Sequence, residues 1–424
     1  MSFPIRLHIV IWSVFLAKFL FSAFFITEYV TWEDTEIALN LLNTGEFKIA
    51  HRGLNNYNFT FPIFAFIQFL IFKVAGVNYL LVSVFQILIT SFTAYLLYSV
   101  FTTLNKFIPL SEFNSTQFSK FSFWAVCVYL LHPGIGYHTI ISIHPFVLDM
   151  FFPLLIIYCT FKYFENPSFR KLICVGLVTG IGILDRATIV SAIIPFVILV
   201  VKNDTLFGAI KKLSLVAMLA SIILTPWLIR NYGIYNRIAL TSTTGEVIWK
   251  GSLYDSDGGN HLISGENYLH VLTEDDRATI RQISIIERND FFMHKYLKIL
   301  NEDPAQVMKM FVVKMKNFWW FRSQIGIEYS NTMKQFIAMY KLYYIIILLF
   351  AIAGIIVFKK YSLYLLSYPI ALSVLQSIFY VETRHRLVIE PFLIMLSILG
   401  FVYMIGKIKG TQSKIEEGVP VTKL

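Results

Sequence analysis

Residues 79–104 read YLLVSVFQILITSFTAYLLYSVFTTL, and no charged side chain interrupts them. A helix rises about 1.5 Å per residue, so a run of this length crosses the roughly 30 Å hydrocarbon core of a bilayer. The apolar residues are continuous rather than alternating, which excludes the strand of a membrane barrel. In lipid every backbone N–H needs an internal partner, and a helix supplies it.

The same reading extends in both directions. Further apolar runs lie near Leu7–Thr27, Phe121–Tyr137, Pro145–Phe161, Leu172–Leu184, Ile189–Val201, Leu213–Leu228, Tyr340–Phe358, Tyr361–Tyr380 and Leu387–Ile405. Together they predict about ten crossings. The run Phe61–Val74 holds Gln68 and Lys73 and is expected to be re-entrant or interfacial. Composition agrees. Only 15% of the 424 residues are charged and mean hydropathy is +0.64, whereas soluble proteins carry about 25% charge.

The net charge of +10 does not mark a nucleic-acid binder, because the basic residues lie between apolar spans rather than on one soluble face. Arg6, Lys106, Lys120, Lys162, Arg170, Lys171, Lys202, Lys211, Lys212, Lys359, Lys360, Lys407 and Lys409 all fall on one set of alternating connections. The excess of positive charge on cytoplasmic loops then puts both termini in the cytoplasm of a multi-pass plasma (inner) membrane protein. Cys127, Cys159 and Cys174 sit inside apolar runs and offer neither a disulfide framework nor metal-ligand spacing.

The predicted fold is an all-α polytopic membrane protein. An N-terminal transmembrane module covers 1–230 and includes a first outer loop, 28–78, with a short helix at Asp34–Leu42 ended by Gly45. A small, mainly helical outer insert covers 231–339, the last helices 340–406, and a polar, mobile cytoplasmic tail 407–424. Within the insert, Thr273-Glu274-Asp275-Asp276 predicts a capped helix start, and Asp303-Pro304 another. The helix after Pro304 mixes lysines with Met, Phe and Trp and suits the membrane interface.

Charge near a membrane is costly and so informative. Glu28, Glu33, Asp34, Glu36, His51 and Arg52 lie in the first outer loop, and His138, His144 and Asp149 flank the third and fourth spans. Asp185 and Arg186 join the fifth and sixth, Arg230 follows the seventh, and Arg384, Arg386 and Glu390 sit where the tenth begins. An acid-plus-arginine rim of this kind suits a lipid phosphate whose tail stays in the membrane. A carboxylate can take a proton from a hydroxyl, and a guanidinium fork matches phosphate oxygens. The bland alternative is that several of these residues only close helix ends. His51, His138 and His144 could join a carboxylate around a metal, but their spacing fits no known metal site.

Several segments together carry a resemblance. They are WEDTEIALNLLNTGEF (32–47), FPIFAFIQFLIFKVAG (61–76), a span with Gln86, LHPGIGYHT (131–139), GLVTGIGILDRAT (176–188), TPWLIRNYGIYNRIALTSTTGEVIWKG (225–251), LKILNEDPAQVMKMFVVKMKNFWWF (297–321) and TRHRLVIEPF (383–392). In order and spacing the chain, from about Trp12 to Phe401, resembles the GT-C superfamily of polytopic membrane glycosyltransferases. Its nearest likeness is to bacterial members like the aminoarabinose and protein O-mannosyltransferases. The resemblance implies an inverting transferase that moves a sugar from a polyprenyl-phosphate donor to a lipid, glycan or protein acceptor at the outer face. It implies a carboxylate general base in the first loop, for which Glu33 is preferred and Asp34 is the alternative. Adjacent helical residues point about 100° apart, so only one can face a cavity squarely. Arg384, Arg386, Arg186, Arg230 and Asp149 are the expected substrate-binding residues. A divalent metal is left open. Arg230 could instead tie down the insert, and Lys18, inside the first span, would snorkel or pair with an acid. The competing functions are a transporter or flippase of lipid-linked glycans and an O-antigen polymerase or ligase. No internal repeat supports a transporter.

Overall fold

The computed structural model describes residues 3–51, 54–107, 113–322 and 331–416. Among them about 80% are helical, in 17 helices. Seven are long and apolar enough to cross a membrane. These are α1 (Phe3–Phe25), α4 (Tyr79–Phe107), α7 (Phe146–Glu165), α10 (Leu206–Tyr235), α15 (Asn331–Val357), α16 (Lys359–Ile378) and α17 (Glu390–Glu416). In between, the first module holds α2 (Glu33–Thr44), α3 (Pro62–Ala75), α5 (Ser115–Leu130), α6 (Pro133–Ile140), α8 (Phe169–Asp185) and α9 (Ile194–Asn203). The insert holds α11 (Thr244–Lys250), α12 (Glu274–Gln282), α13 (Ile285–Glu302) and α14 (Pro304–Trp319).

The expected count of about ten therefore becomes seven long spans and three shorter helices, and the shortening has local causes. The run 121–137 breaks because His132 leaves the helix to accept a bond from Ile135 N, and Pro133 opens α6. The run 189–201 begins as a 3₁₀ turn, Ala187–Ile193, so only Ile194–Asn203 is α-helical. α8 has 17 residues, about 25 Å of helix. At the other end of the chain, α17 continues to Glu416, so the expected tail is helical up to there. The remainder of the tail and Arg52 lie outside the described residues.

The shorter predictions hold closely. α2 ends at Gly45, whose φ of 73° is the left-handed cap that glycine adopts freely. Thr273 and Asp276 form the capping box of α12, and Asp303 caps α14 above Pro304. Where α15 and α17 cross, a Cβ on Gly354 would fall on the Leu396 carbonyl, and one on Gly400 on the Phe350 carbonyl. Only glycine lets these two backbones meet so closely.

Two small strand pairings draw the extramembrane segments together at one end of the bundle. Val30–Thr31 pairs in parallel with Ser142–Ile143, and Ile49–His51 pairs antiparallel with Leu54–Asn56. The first pairing is held from beneath by Gln86 on α4. Its amide reaches the carbonyls of His138, Thr139 and Ser142, and its Oε1 accepts from His144 N. One polar residue in a long apolar helix thus fixes the turn before α7. The insert has its own core, including Trp249, Leu253, Tyr268 and Phe292. Buried Arg322 ties it to the bundle by donating to Asp257 at 2.6 Å and pairing with Glu382. Lys314 adds bonds to the carbonyls of Ile378 and Phe379 at the end of α16.

Candidate functional site

The strand pairing of Val30–Thr31 with Ser142–Ile143 sets the entrance of α2 beside the turn that leads into α7. Trp32 donates from its indole N–H to Ser142 Oγ at 3.2 Å and meets the His144 ring edge-on. Arg384 lies across the Trp32 ring at 4.9 Å. Glu33, Asp34 and Glu36 occupy the first turn of α2, where the helix dipole favours acids.

The 100° step between neighbours separates the two base candidates. Asp34 is buried, and its Oδ1 accepts from the Thr60 hydroxyl at 3.3 Å. Glu33 is exposed and lines a surface cleft of ≈ 390 Å³ with Trp32, Thr35, Glu36 and Tyr79. Burial pushes the Asp34 carboxyl up to about 7, and the charge of Glu33 pushes the same way. The Arg186 guanidinium and the Thr60 hydroxyl oppose that rise, and Asp149 adds to it. Asp34 therefore shares one electrostatic neighbourhood with Asp149 and Arg186, two residues that the sequence also singled out.

Within that neighbourhood Arg186 donates from Nε to Asp149 Oδ1 at 2.7 Å and lies over the Phe146 ring. Asp149 stands in the first turn of α7, again on the favourable end of a dipole. Its other oxygen is buried with no hydrogen-bond partner. Asp185 is more exceptional. It is the last residue of α8, where the dipole disfavours an anion. It is buried, and neither of its carboxylate oxygens has a hydrogen-bond partner. Nearby His144 is stacked on Phe146 and its Nδ1 is buried without a partner. Burial, together with the Arg186 and Arg384 charges, holds this imidazole well below its usual range, so it stays neutral. Buried polar groups without partners are rare in native proteins. Here three such residues surround Arg186.

Two of the expected substrate contacts sit elsewhere. Arg386 is fully buried. Its Nε donates to Glu390 at 3.1 Å, its Nη1 to the Trp320 carbonyl at 3.0 Å and its Nη2 to the Tyr340 hydroxyl at 2.9 Å. It also stacks on Tyr344 at 3.6 Å. With each nitrogen engaged, Arg386 holds α17, α15 and the end of the insert together instead of facing a phosphate. Arg230 lies against Trp227 and Phe47 and donates to the carbonyls of Tyr57 and Phe47. It fastens α10 to the first loop, and not to the insert that the sequence reading gave as its alternative anchor. Lys18, expected to snorkel or pair with an acid, has its Nζ buried with no hydrogen-bond partner.

Asp34, Asp149, Arg186 and Arg384 thus converge, with Glu33 just outside. The sequence reading passed over Asp185 and His144 as substrate contacts. The available signal for Asp185 was an acid directly before an arginine at the end of an apolar helix. Among the described residues no three His, Cys, Asp or Glu side chains come together as metal ligands, so the divalent ion left open by the sequence finds no ready donor set.

Compared with family models, curated proteins and solved structures, the chain matches none.

Proposed function

We propose that this protein is a membrane glycosyltransferase using a polyprenyl-phosphate sugar, with Asp34 as general base. The observation that carries the proposal is the buried Asp34 carboxyl, raised to about 7 and set within the field of Arg186 at the mouth of an apolar helix bundle. A base is most effective when its pKa lies near the working pH. Asp34 takes the proton of the acceptor hydroxyl as that oxygen attacks the anomeric carbon. The bond from that carbon to the phosphate oxygen breaks on the opposite face, and the carbon inverts. Polyprenyl phosphate leaves with its electron pair, its charge met by Arg186 and Arg384. Asp149 holds Arg186 in place, and Asp185 accepts hydrogen bonds from sugar hydroxyls. Lipid carrier and acceptor (a lipid, a glycan or a protein) meet at the outer face of the plasma membrane. This requires both termini in the cytoplasm, with α5, α8 and the α9 segment crossing beside the seven long helices to give ten crossings.

A proton-coupled exporter of lipid-linked glycans would also use a carboxyl that titrates near neutrality, so one assay has to separate the two. Purified protein in lipid nanodiscs is mixed with polyprenyl-phosphate sugars, and release of polyprenyl phosphate is followed. The transferase releases it, and Asp34→Asn does not. Full activity in both Asp34→Asn and Glu33→Gln rejects the base assignment. Movement of intact donor across a vesicle membrane without release establishes the exporter.

A further inference from the structure

The last helix of the insert has one face seated on the protein and one face open. In α14 Gln306, Met310, Lys314, Asn317 and Phe318 are buried. Gln306 donates to the Leu253 carbonyl within the insert, and Lys314 to the carbonyls of Ile378 and Phe379 at the end of α16. On the other side Met308, Val312, Lys316 and Trp320 follow at four-residue spacing, with Lys309 beside them, and all five are exposed. Residues four apart are neighbours on a helix surface, so they form one continuous row. Met308 is 63% exposed and Val312 60%.

Charge sets this helix apart from the rest of the insert. α12 and α13 mix acids with bases, as in Glu274 with Arg277 and Lys298 with Glu302, a pattern suited to water. α14 carries Lys309, Lys314 and Lys316 and no acid from Pro304 to Trp319. Lysines beside large apolar side chains on one open helix face suit a bilayer interface with anionic lipid, and Trp favours that depth. Position agrees. α14 meets the end of α16, a candidate span whose Ile370, Val374 and Ile378 are exposed as lipid-facing side chains are. Trp320 stands 6.4 Å from Tyr344 of α15, another such span. The nearest apolar phase open to Met308, Val312 and Trp320 is therefore the bilayer around those spans.

We propose that α14 docks on the membrane surface, on the leaflet beside the insert, with anionic phospholipid as its partner. Met308, Val312 and Trp320 enter the interface. Lys309 and Lys316 lay their stems along this apolar row and set their ammonium groups on lipid phosphates. Docking gives the insert a second anchor besides buried Arg322. It does not depend on the transferase reading or on which leaflet the insert faces.

The test is electron paramagnetic resonance of the full-length protein in nanodiscs of phosphatidylcholine with phosphatidylglycerol. A nitroxide is placed at Met308→Cys or Val312→Cys, in a background of Cys127→Ala, Cys159→Ala and Cys174→Ala. Glu274→Cys, whose native side chain is 85% exposed, is the water-facing control. Labels on α14 are reached by oxygen, which dissolves in lipid, and shielded from a water-soluble nickel chelate. Their oxygen-to-nickel accessibility ratio lies several-fold above that of the control. Omitting phosphatidylglycerol, or adding Lys309→Gln/Lys316→Gln, lowers the ratio, because an anionic surface attracts each nearby lysine by about fivefold. Two label positions on the exposed row keep the test decisive should one variant fold poorly, as its unfolding midpoint would show. A ratio equal to that of the control leaves the face in water and overturns the proposal. Shielding from both reagents places a second protein surface there and also overturns it. A ratio indifferent to phosphatidylglycerol and to the lysines overturns the anionic partner.

Discussion

Buried charge occurs in two forms in this protein. Around Arg386 it is closed. Glu390 is paired with Arg386 and also takes bonds from His132 and the Tyr340 hydroxyl. His132 Nδ1 accepts from Ile135 N, so its Nε2 proton points at Glu390. Around Arg186 it is open. Asp185 has neither oxygen bonded, Asp149 has one bare, and His144 has a bare ring nitrogen. Both sets join an arginine to a carboxylate and a histidine. They differ in the completeness of their hydrogen bonding, and Arg186 is partly exposed where Arg386 is not. A closed network gives rigidity, and a half-satisfied one is costly unless something else completes it. The comparison therefore supports a structural role for Arg386–Glu390 and, on the proposed function, substrate binding by the Arg186 neighbourhood, although the sequence alone placed Arg386 among the substrate contacts.

The largest effect belongs to the open set. Asp34→Asn lowers kcat by about 10²–10⁴, the usual contribution of a general base, while thermal unfolding in detergent shows a folded protein. The wild-type profile should reflect the same carboxyl. Activity rises with pH and levels off above about 7, because the base works only when ionised. Stability runs the other way. Between the ordinary carboxyl range and about 7 the folded state holds more protons than the unfolded, so the stability supplied by Asp34 is present at low pH and is lost as pH rises through about 7. An activity profile flat from acid to neutral pH would remove Asp34 from the chemistry.

The closed set gives the next effect, and of the opposite kind. Glu390→Ala leaves the Arg386 guanidinium buried without its counter-charge, a change that costs about 3–5 kcal/mol. We expect a large fall in unfolding midpoint, and normal donor KM in whatever protein remains folded. A stable Glu390→Ala variant with a raised donor KM would break the comparison, since it would make the closed network part of the binding site.

Asp185→Asn tests the open set where it is least supported. An asparagine removes a buried carboxyl whose oxygens have no hydrogen-bond partner, so stability should hold or rise. The hydrogen bonds that the carboxylate accepts from substrate hydroxyls should be weakened, at about tenfold in kcat/KM. Reduced stability with unchanged kcat/KM would make Asp185 structural.

Much of this was legible in the sequence, and the remainder was not, for physical reasons. Continuous apolar runs fixed the long helices, and Gly45, Thr273 and Pro304 fixed ends and starts of short ones, because these signals are local. Seven of the expected spans are long helices, and others are shorter because His132-Pro133 and the turn after Asp185 interrupt helices without interrupting hydrophobicity. Asp149, Arg186 and Arg384 were found as charges at span ends, and Asp34 as an acid of the first outer loop. Arg386 was read as a substrate contact, and its internal partners were not seen, because a charge at a span end looks the same in sequence whether it faces a cavity or a partner. Its partners Trp320, Tyr340 and Tyr344 come from distant parts of the chain.

The smallest expected effect separates two adjacent carboxylates. Glu33 and Asp34 share the first turn of α2, yet one faces a surface cleft and the other the protein interior. The charge of Glu33 reaches Asp34 and helps to raise its pKa, so Glu33→Gln does act on the site, but only through that field. Removing the charge lets Asp34 ionise at slightly lower pH. Exposed charges interact weakly, about 0–1 kcal/mol, which moves the acid limb of the activity profile down by at most about 0.7 pH unit. The plateau rate stays within about twofold of wild type. A plateau that instead collapses as in Asp34→Asn would show that the exposed carboxylate takes the proton. Catalysis would then belong to the surface cleft beside Tyr79, and the unpartnered groups around Arg186 would need another explanation.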